Sequence, residues 1–150
     1  MNKRTIYIGA DSAGFSLKEE LIPHLKERGF EIVDCGTDSP ASCHYPEFAN
    51  AVCEGVKSNL DNSYGILICG TGIGMSMCAN KHHGIRAALC SDTYSAKMTR
   101  RHNDANVLCI GARVIGSCLA TDILDAFLDN DFEGGRHALR VDMMMKIEEN

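Results

Sequence analysis

Apolar positions along the chain follow two rhythms. Short apolar runs read as strands: Thr5-Ile6-Tyr7-Ile8-Gly9, Phe30-Glu31-Ile32-Val33-Asp34, Ile66-Leu67-Ile68-Cys69, Ile85-Arg86-Ala87-Ala88-Leu89-Cys90 and Asn106-Val107-Leu108-Cys109-Ile110-Gly111. Between them, apolar side chains recur at helical spacing. Phe15, Leu17, Leu21, Ile22 and Leu25 form one such face, with Gly29 as its stop. Pro23 interrupts that face and predicts a bend or a lost hydrogen bond. The segment from Cys35 to Tyr45 reads as a loop, and Pro46 suits the first turn of a helix through Phe48, Ala49, Val52 and Val56. Met75 to Asn80 reads as the first turns of a third helix. Ser91 or Asp92 caps a fourth, which carries Tyr94, Ala96 and Met98 to about His102. Gly116 or Ser117 opens a fifth, with Leu119, Ile123, Leu124, Phe127 and Leu128 on its apolar face. After Gly134-Gly135, a last helix runs from Arg136 to Glu149.

Strands alternating with helices imply right-handed crossovers and a parallel sheet covered on both faces. The expected fold is α/β: a Rossmann-like three-layer sandwich with a five-stranded parallel sheet and a C-terminal helix. Strand one should lie between strands two and three. The 150 residues suit a single domain over 1–150, with no repeat, linker or low-complexity segment. Functional residues should gather at the carboxyl ends of strands one, three, four and five, where open α/β sheets place their ligands.

Composition excludes some classes of function. No apolar run approaches a membrane span, and Met1-Asn2-Lys3-Arg4 leads into too short an apolar stretch for a signal peptide, so a cytoplasmic protein is expected. The net charge of −5 argues against broad nucleic-acid binding. The 8 cysteines form no C-x-x-C pair, several lie inside apolar runs, and reduced thiols are the better reading than disulfides or a zinc site.

The chemistry centres on Cys69-Gly70-Thr71-Gly72-Ile73-Gly74-Met75-Ser76. A strand stops at a cysteine, glycines follow at alternate positions, and a helix begins. That geometry aims backbone N–H groups at an anion and favours a thiolate beside them, so one segment supplies a base and an oxyanion cradle. Met75 breaks both the dinucleotide G-x-G-x-x-G pattern and the P-loop. The plainer alternative is a buried cysteine ending an ordinary strand–helix turn. Asp11-Ser12 follows strand one and is either a ligand pair or a helix cap. His102-Asn103 ends the fourth helix, where a histidine also sits well for dipole reasons alone. Arg136 and Arg140, four residues apart, share a helix face and are either an anion site or a solvated pair; Arg113 lies just past strand five. His82-His83 reads as surface loop. A thiol, a histidine, a glycine cradle and several arginines meeting at one sheet edge would suit a small phosphorylated substrate and proton transfer, not hydride transfer.

These motifs resemble a known family. Gly9-Ala10-Asp11, Gly14-Phe15 with Leu17-Lys18, Cys69 to Gly74, Asn80-Lys81, Arg101-His102-Asn103, and Gly134-Gly135-Arg136-His137 with Arg140 are similar to the type B ribose-5-phosphate isomerases and the related galactose- and allose-6-phosphate isomerases. The resemblance runs over nearly the whole chain. It implies an aldose–ketose isomerase with no metal and no other cofactor, working through an enediolate. It gives Cys69 the role of base, and Gly70, Thr71, Gly72, Ile73 and Gly74 the holding of the enediolate oxygens. His102 would assist ring opening, while Asn103, Arg113, Arg136 and Arg140 would bind sugar and phosphate. It also implies a homodimer, or a tetramer, with shared active sites. Two positions depart from the pattern: Ser12 stands where the family usually has His, and His44 where it often has Asp. Both bear on substrate identity, and His44 is the candidate to replace the missing group at Ser12.

Overall fold

The computed structural model describes residues 4–150. The Met1-Asn2-Lys3 start, on which the signal-peptide reading rests, lies outside the described residues. Five strands, β1 (Thr5–Ala10), β2 (Glu31–Asp34), β3 (Ser63–Cys69), β4 (Ala87–Leu89) and β5 (Val107–Gly111), form one sheet in the order β2-β1-β3-β5-β4. Every pairing is parallel. The helices are α1 (Phe15–Glu27), α2 (Tyr45–Ser58), α3 (Ile73–Ala79), α4 (Thr93–Asn103), α5 (Ser117–Leu128) and α6 (Arg136–Lys146). This is the expected Rossmann-like α/β architecture, with β1 between β2 and β3. No helix among the described residues is long and apolar enough to cross a membrane.

β3 is the centre of the molecule, and all of its residues are buried. Alternate side chains of a strand face opposite ways, and each face here meets its own helix layer. Ile66 and Ile68 pack with Ile6, Ile8, Leu108 and Ile110 against α1, α4 and α5. Leu67 and Cys69 pack with Val107 and Cys109 against α2 and α3. Cys69 is therefore the last residue of the central strand, on the α2–α3 side.

Several element ends differ from the sequence reading for physical reasons. β3 begins at Ser63 rather than Ile66, because the buried Ser63 hydroxyl donates to the Asn59 carbonyl at 2.7 Å and so tolerates the interior. β4 is confined to Ala87–Leu89, and the N–H of Arg86 is taken by the Asn106 side chain at 2.8 Å. α2 starts at Tyr45, α3 at Ile73 and β2 at Glu31. Asp92, not Ser91, caps α4: its Oδ1 accepts the Ser95 N–H at 2.6 Å. α6 stops at Lys146, and a 3₁₀ turn, Ile147–Glu149, takes the chain on. α1 continues through Pro23, which sits on its exposed side, where water can satisfy the carbonyl that Pro leaves unpaired. His82 is tied down more than a surface loop residue, bonded to Asn50 at 2.9 Å and to the Cys78 carbonyl at 3.0 Å.

Candidate active site

The turn after β3 is built by glycine. Gly72 has φ +79°, a left-handed conformation that side chains resist, and a Cβ there would lie 2.9 Å from the Ile110 carbonyl carbon. In that conformation the Gly72 N–H donates to Cys69 Sγ at 3.1 Å, and the Ile73 N–H donates to Thr71 Oγ1 at 3.2 Å. The first helical bond of α3, Ser76 N–H to Gly72 O, comes after Gly74. α3 has only 7 residues, so the polar contact that matters to sulfur is the Gly72 N–H itself rather than a long helix dipole. All cysteines are free, and Cys69 is the one set in this turn. Burial pushes the Cys53 thiol up to about 12 and the Cys90 thiol up to about 11, and Cys109 is raised well above the ordinary thiol range by the same cause.

Cys69 looks into a groove of about 450 Å³ lined by Asp11, Tyr45, Gly70, Thr71, Ile73, Gly74 and Met77. Asp11 follows β1, and its carboxylate accepts the Gly14 N–H at 3.1 Å, so it both shapes the entry to α1 and faces the groove. Arg113 follows β5, donates its N–H to the Gly70 carbonyl at 3.0 Å and lays its side chain over Gly70. Tyr45 is a groove residue that sequence reasoning missed. Its ring lies against Gly74, where a Cβ would come 2.7 Å from Cζ. The available signal was position: Tyr45 opens the helix that leaves the β2 edge. Ser12 and His44 adjoin the groove residues Asp11 and Tyr45 in sequence without lining the groove themselves. His44 is exposed and its side chain caps nothing.

His102, Asn103, Arg136 and Arg140 do not meet Cys69 within the chain. α4 leaves the carboxyl edge after β4 and runs back, so its last turn lies at the amino edge of the sheet. There the Arg86 side chain, just before β4, donates to the Asn103 carbonyl at 3.1 Å. α6 and the turn after it lie across the same edge: Met145 Sδ is 3.5 Å from Arg86 Nη1, and Glu148, in that turn, accepts the Gly84 N–H at 3.1 Å. The 7 residues of β3 separate the two edges by roughly 20 Å. The expectation that all these groups meet at one carboxyl edge is corrected: a helix following a strand in a parallel sheet must return to the opposite edge.

The amino-edge group has its own geometry. The imidazoles of His102 and His137 stack at 4.1 Å with 10° between their planes. Glu133 Oε2 lies 3.9 Å from His102 Nε2 and 3.7 Å from His137 Nε2. Burial first, then the charges of His102 and Arg136, hold His137 below the usual histidine range. Among the described residues, His102, Glu133 and His137 are the one trio close enough to hold a metal ion. Their rings are parallel, so the lone pairs run side by side and do not converge on one point, as shared coordination requires. Arg28, Arg86, Arg100 and Arg101 each pair with a carboxylate. Arg113, Arg136 and Arg140 form no ion pair among the described residues.

Residues 6–144 match the family model described as Ribose/Galactose Isomerase. The chain is 49% identical over 146 residues to ribose-5-phosphate isomerase B of Escherichia coli (strain K12), covering 97% of each. It is 45% identical to D-erythrulose-4-phosphate isomerase of Pectobacterium atrosepticum, covering 92% of this chain and 91% of that one. It is similar to the crystal structure of ribose-5-phosphate isomerase B from Mycoplasma genitalium with bound ribulose-5-phosphate. There the TM-score is 0.94, the identity 42%, and the coverage 97% of each chain.

Proposed function

The chain belongs to the ribose/galactose isomerase family, and from that premise we propose that it is a cytoplasmic, single-domain aldose–ketose isomerase of type B. It interconverts ribose 5-phosphate and ribulose 5-phosphate. The observation that carries the reading is Cys69: a thiol at the end of the central strand, facing a groove that also holds Asp11 and Thr71, and receiving the Gly72 N–H at 3.1 Å. A protein that only binds its ligand has no need of a base there.

In this reading the Cys69 thiolate removes the C2 proton of the open-chain aldose and returns it to C1, while a proton passes from O2 to O1. The enediolate oxygens between these steps lie against the Thr71 hydroxyl and the backbone N–H groups of the Gly70–Gly74 turn, with Asp11 and Ile73 closing the groove. Such donors stabilise charge where it develops. Arg113 stands ready on the same edge. The remaining groups come from a second copy of the chain: His102 of the partner subunit for ring opening, Asn103 of the partner subunit for the sugar, and Arg136 and Arg140 of the partner subunit for the phosphate. Two features support a shared site. The halves are a strand's length apart in one chain, and both edges carry exposed apolar side chains, Ile73 and Met77 by the groove, and Leu139 and Met143 on α6 with Ile147 just after it. The assembly is a homodimer, or a tetramer of such dimers.

The test is turnover of ribose 5-phosphate beside erythrulose 4-phosphate, allose 6-phosphate and galactose 6-phosphate. The highest kcat/KM is expected for ribose 5-phosphate. Cys69→Ala should lower kcat by about 10²–10⁴-fold with binding largely kept. The second reading, a four- or six-carbon substrate, is favoured by Ser12 and His44, next in sequence to the groove residues Asp11 and Tyr45, and by the erythrulose-phosphate relative. A different best substrate would select it. Binding without any turnover would leave a non-catalytic sugar-phosphate module.

A further inference from the structure

We infer that Glu133 is a positioning residue that holds the proton-bearing form of His102, with His137 as the stacked platform that fixes its ring. The inference rests on the reading above, in which His102 handles the ring-opening protons.

Glu133 is fastened twice to the helix that carries His102. Its Oε1 pairs with Arg101 Nη2 at 2.5 Å, and its backbone N–H donates to the Arg101 carbonyl at 3.0 Å. Its other oxygen is left facing the two imidazole Nε2 atoms at 3.9 and 3.7 Å. Against the His102 ring stand Glu133, on the loop before α6, and the His137 ring; Arg101 is bonded to Glu133, and the charges of Arg136 and Arg140 act on His137. Glu133 is the one carboxylate within ion-pair reach of either ring among the described residues.

One carboxylate amid guanidinium groups can support one imidazolium, not two stacked face to face. His137 is the more buried ring, 9% exposed against 39% for His102, and burial disfavours its charged form. The proton therefore belongs to His102, the more open ring. A neutral stacked neighbour restricts its rotation, and the anchored carboxylate offsets the charge of the arginines that a phosphate also needs. Without Glu133, those arginines would work against any proton on His102.

The test separates ring opening from proton transfer at carbon. Ribose 5-phosphate cyclises and must be opened. Ribulose 5-phosphate cannot close a five-membered ring, because its O5 carries the phosphate, so exchange of its C1 proton with solvent deuterium needs no ring opening. Glu133→Gln keeps size and shape while losing charge. Expected are a fall of about tenfold in kcat/KM for ribose 5-phosphate, C1 exchange within about twofold of wild type, and a pH–rate profile moved toward lower pH by about one unit. NMR titration of the His102 ring, which needs no turnover, should move the same way. Equal losses in both assays with an unmoved profile would make Glu133 merely structural and overturn the inference. So would wild-type behaviour in every assay. His102→Asn separates the two levels. If it turns over ribose 5-phosphate normally, the role of His102 fails. If it is impaired while Glu133→Gln is not, only the positioning role fails.

Discussion

Arg136 and Arg140 are exposed on α6, flank the buried His137, and make no ion pair among the described residues. Arg28, Arg86, Arg100 and Arg101 each have a carboxylate, whereas these two guanidinium groups stand on one face without one. A phosphate monoester matches them as a charge-assisted, bidentate acceptor. Because that phosphate is held in ground and transition states alike, Arg136→Ala should raise KM by about 10–100-fold and leave kcat nearly unchanged. Steady-state kinetics with ribose 5-phosphate measures both. An unchanged KM would return these residues to the solvated surface. The candidate residues were legible singly because their types carry the chemistry. Asp11 shows why their roles were less so: cap and ligand are alternatives on paper, yet one carboxylate accepts the Gly14 N–H and lines the groove as well. Tyr45, Glu133 and His137 escaped notice as site residues because their relevance comes from packing, which spacing does not encode.

At the scale of elements, the two ends of β4 and α3 are held together by one side chain. β4 is an edge strand, and its free side would offer unpaired backbone to another chain. Asn80, just past α3, closes that side: its Nδ2 donates to the Ala87 carbonyl and its Oδ1 accepts the Ala87 N–H, both at 2.9 Å. Asn80 thus makes both bonds a neighbouring strand would make. Asn80→Ala should cost about 1–3 kcal/mol of stability, read as a lower urea midpoint with an unchanged slope. No change in midpoint would mean water replaces the amide without loss. The strands and helices were readable because apolar runs and helical spacing report burial. Ser63–Gly65 was not, being a polar start made tolerable by the hydroxyl bond to Asn59. The placement of His102 was readable in principle. In a parallel sheet each helix after a strand carries the chain back to the amino edge, so residues ending α4 cannot share an edge with residues ending β3.

On the proposed reading, the whole molecule presents two half-sites on opposite edges of one sheet. The carboxyl edge holds Cys69, Thr71, Asp11 and Arg113. The amino edge holds His102, Asn103, Arg136 and Arg140. On that reading neither half alone has the groups for isomerising a cyclic sugar phosphate, and the proposed two-fold pair would bring each edge to its complement because such interfaces are self-complementary. This arrangement makes the shared site directly measurable. Cys69→Ala and His102→Asn are each expected to cripple ribose 5-phosphate turnover as homodimers. Co-expressed with different affinity tags and purified through both, they form a hybrid in which one site carries both substitutions and the other carries neither. That hybrid should recover about half of the wild-type kcat per dimer, one intact site of two. A purified hybrid as inactive as its parents would contradict a site built from two chains.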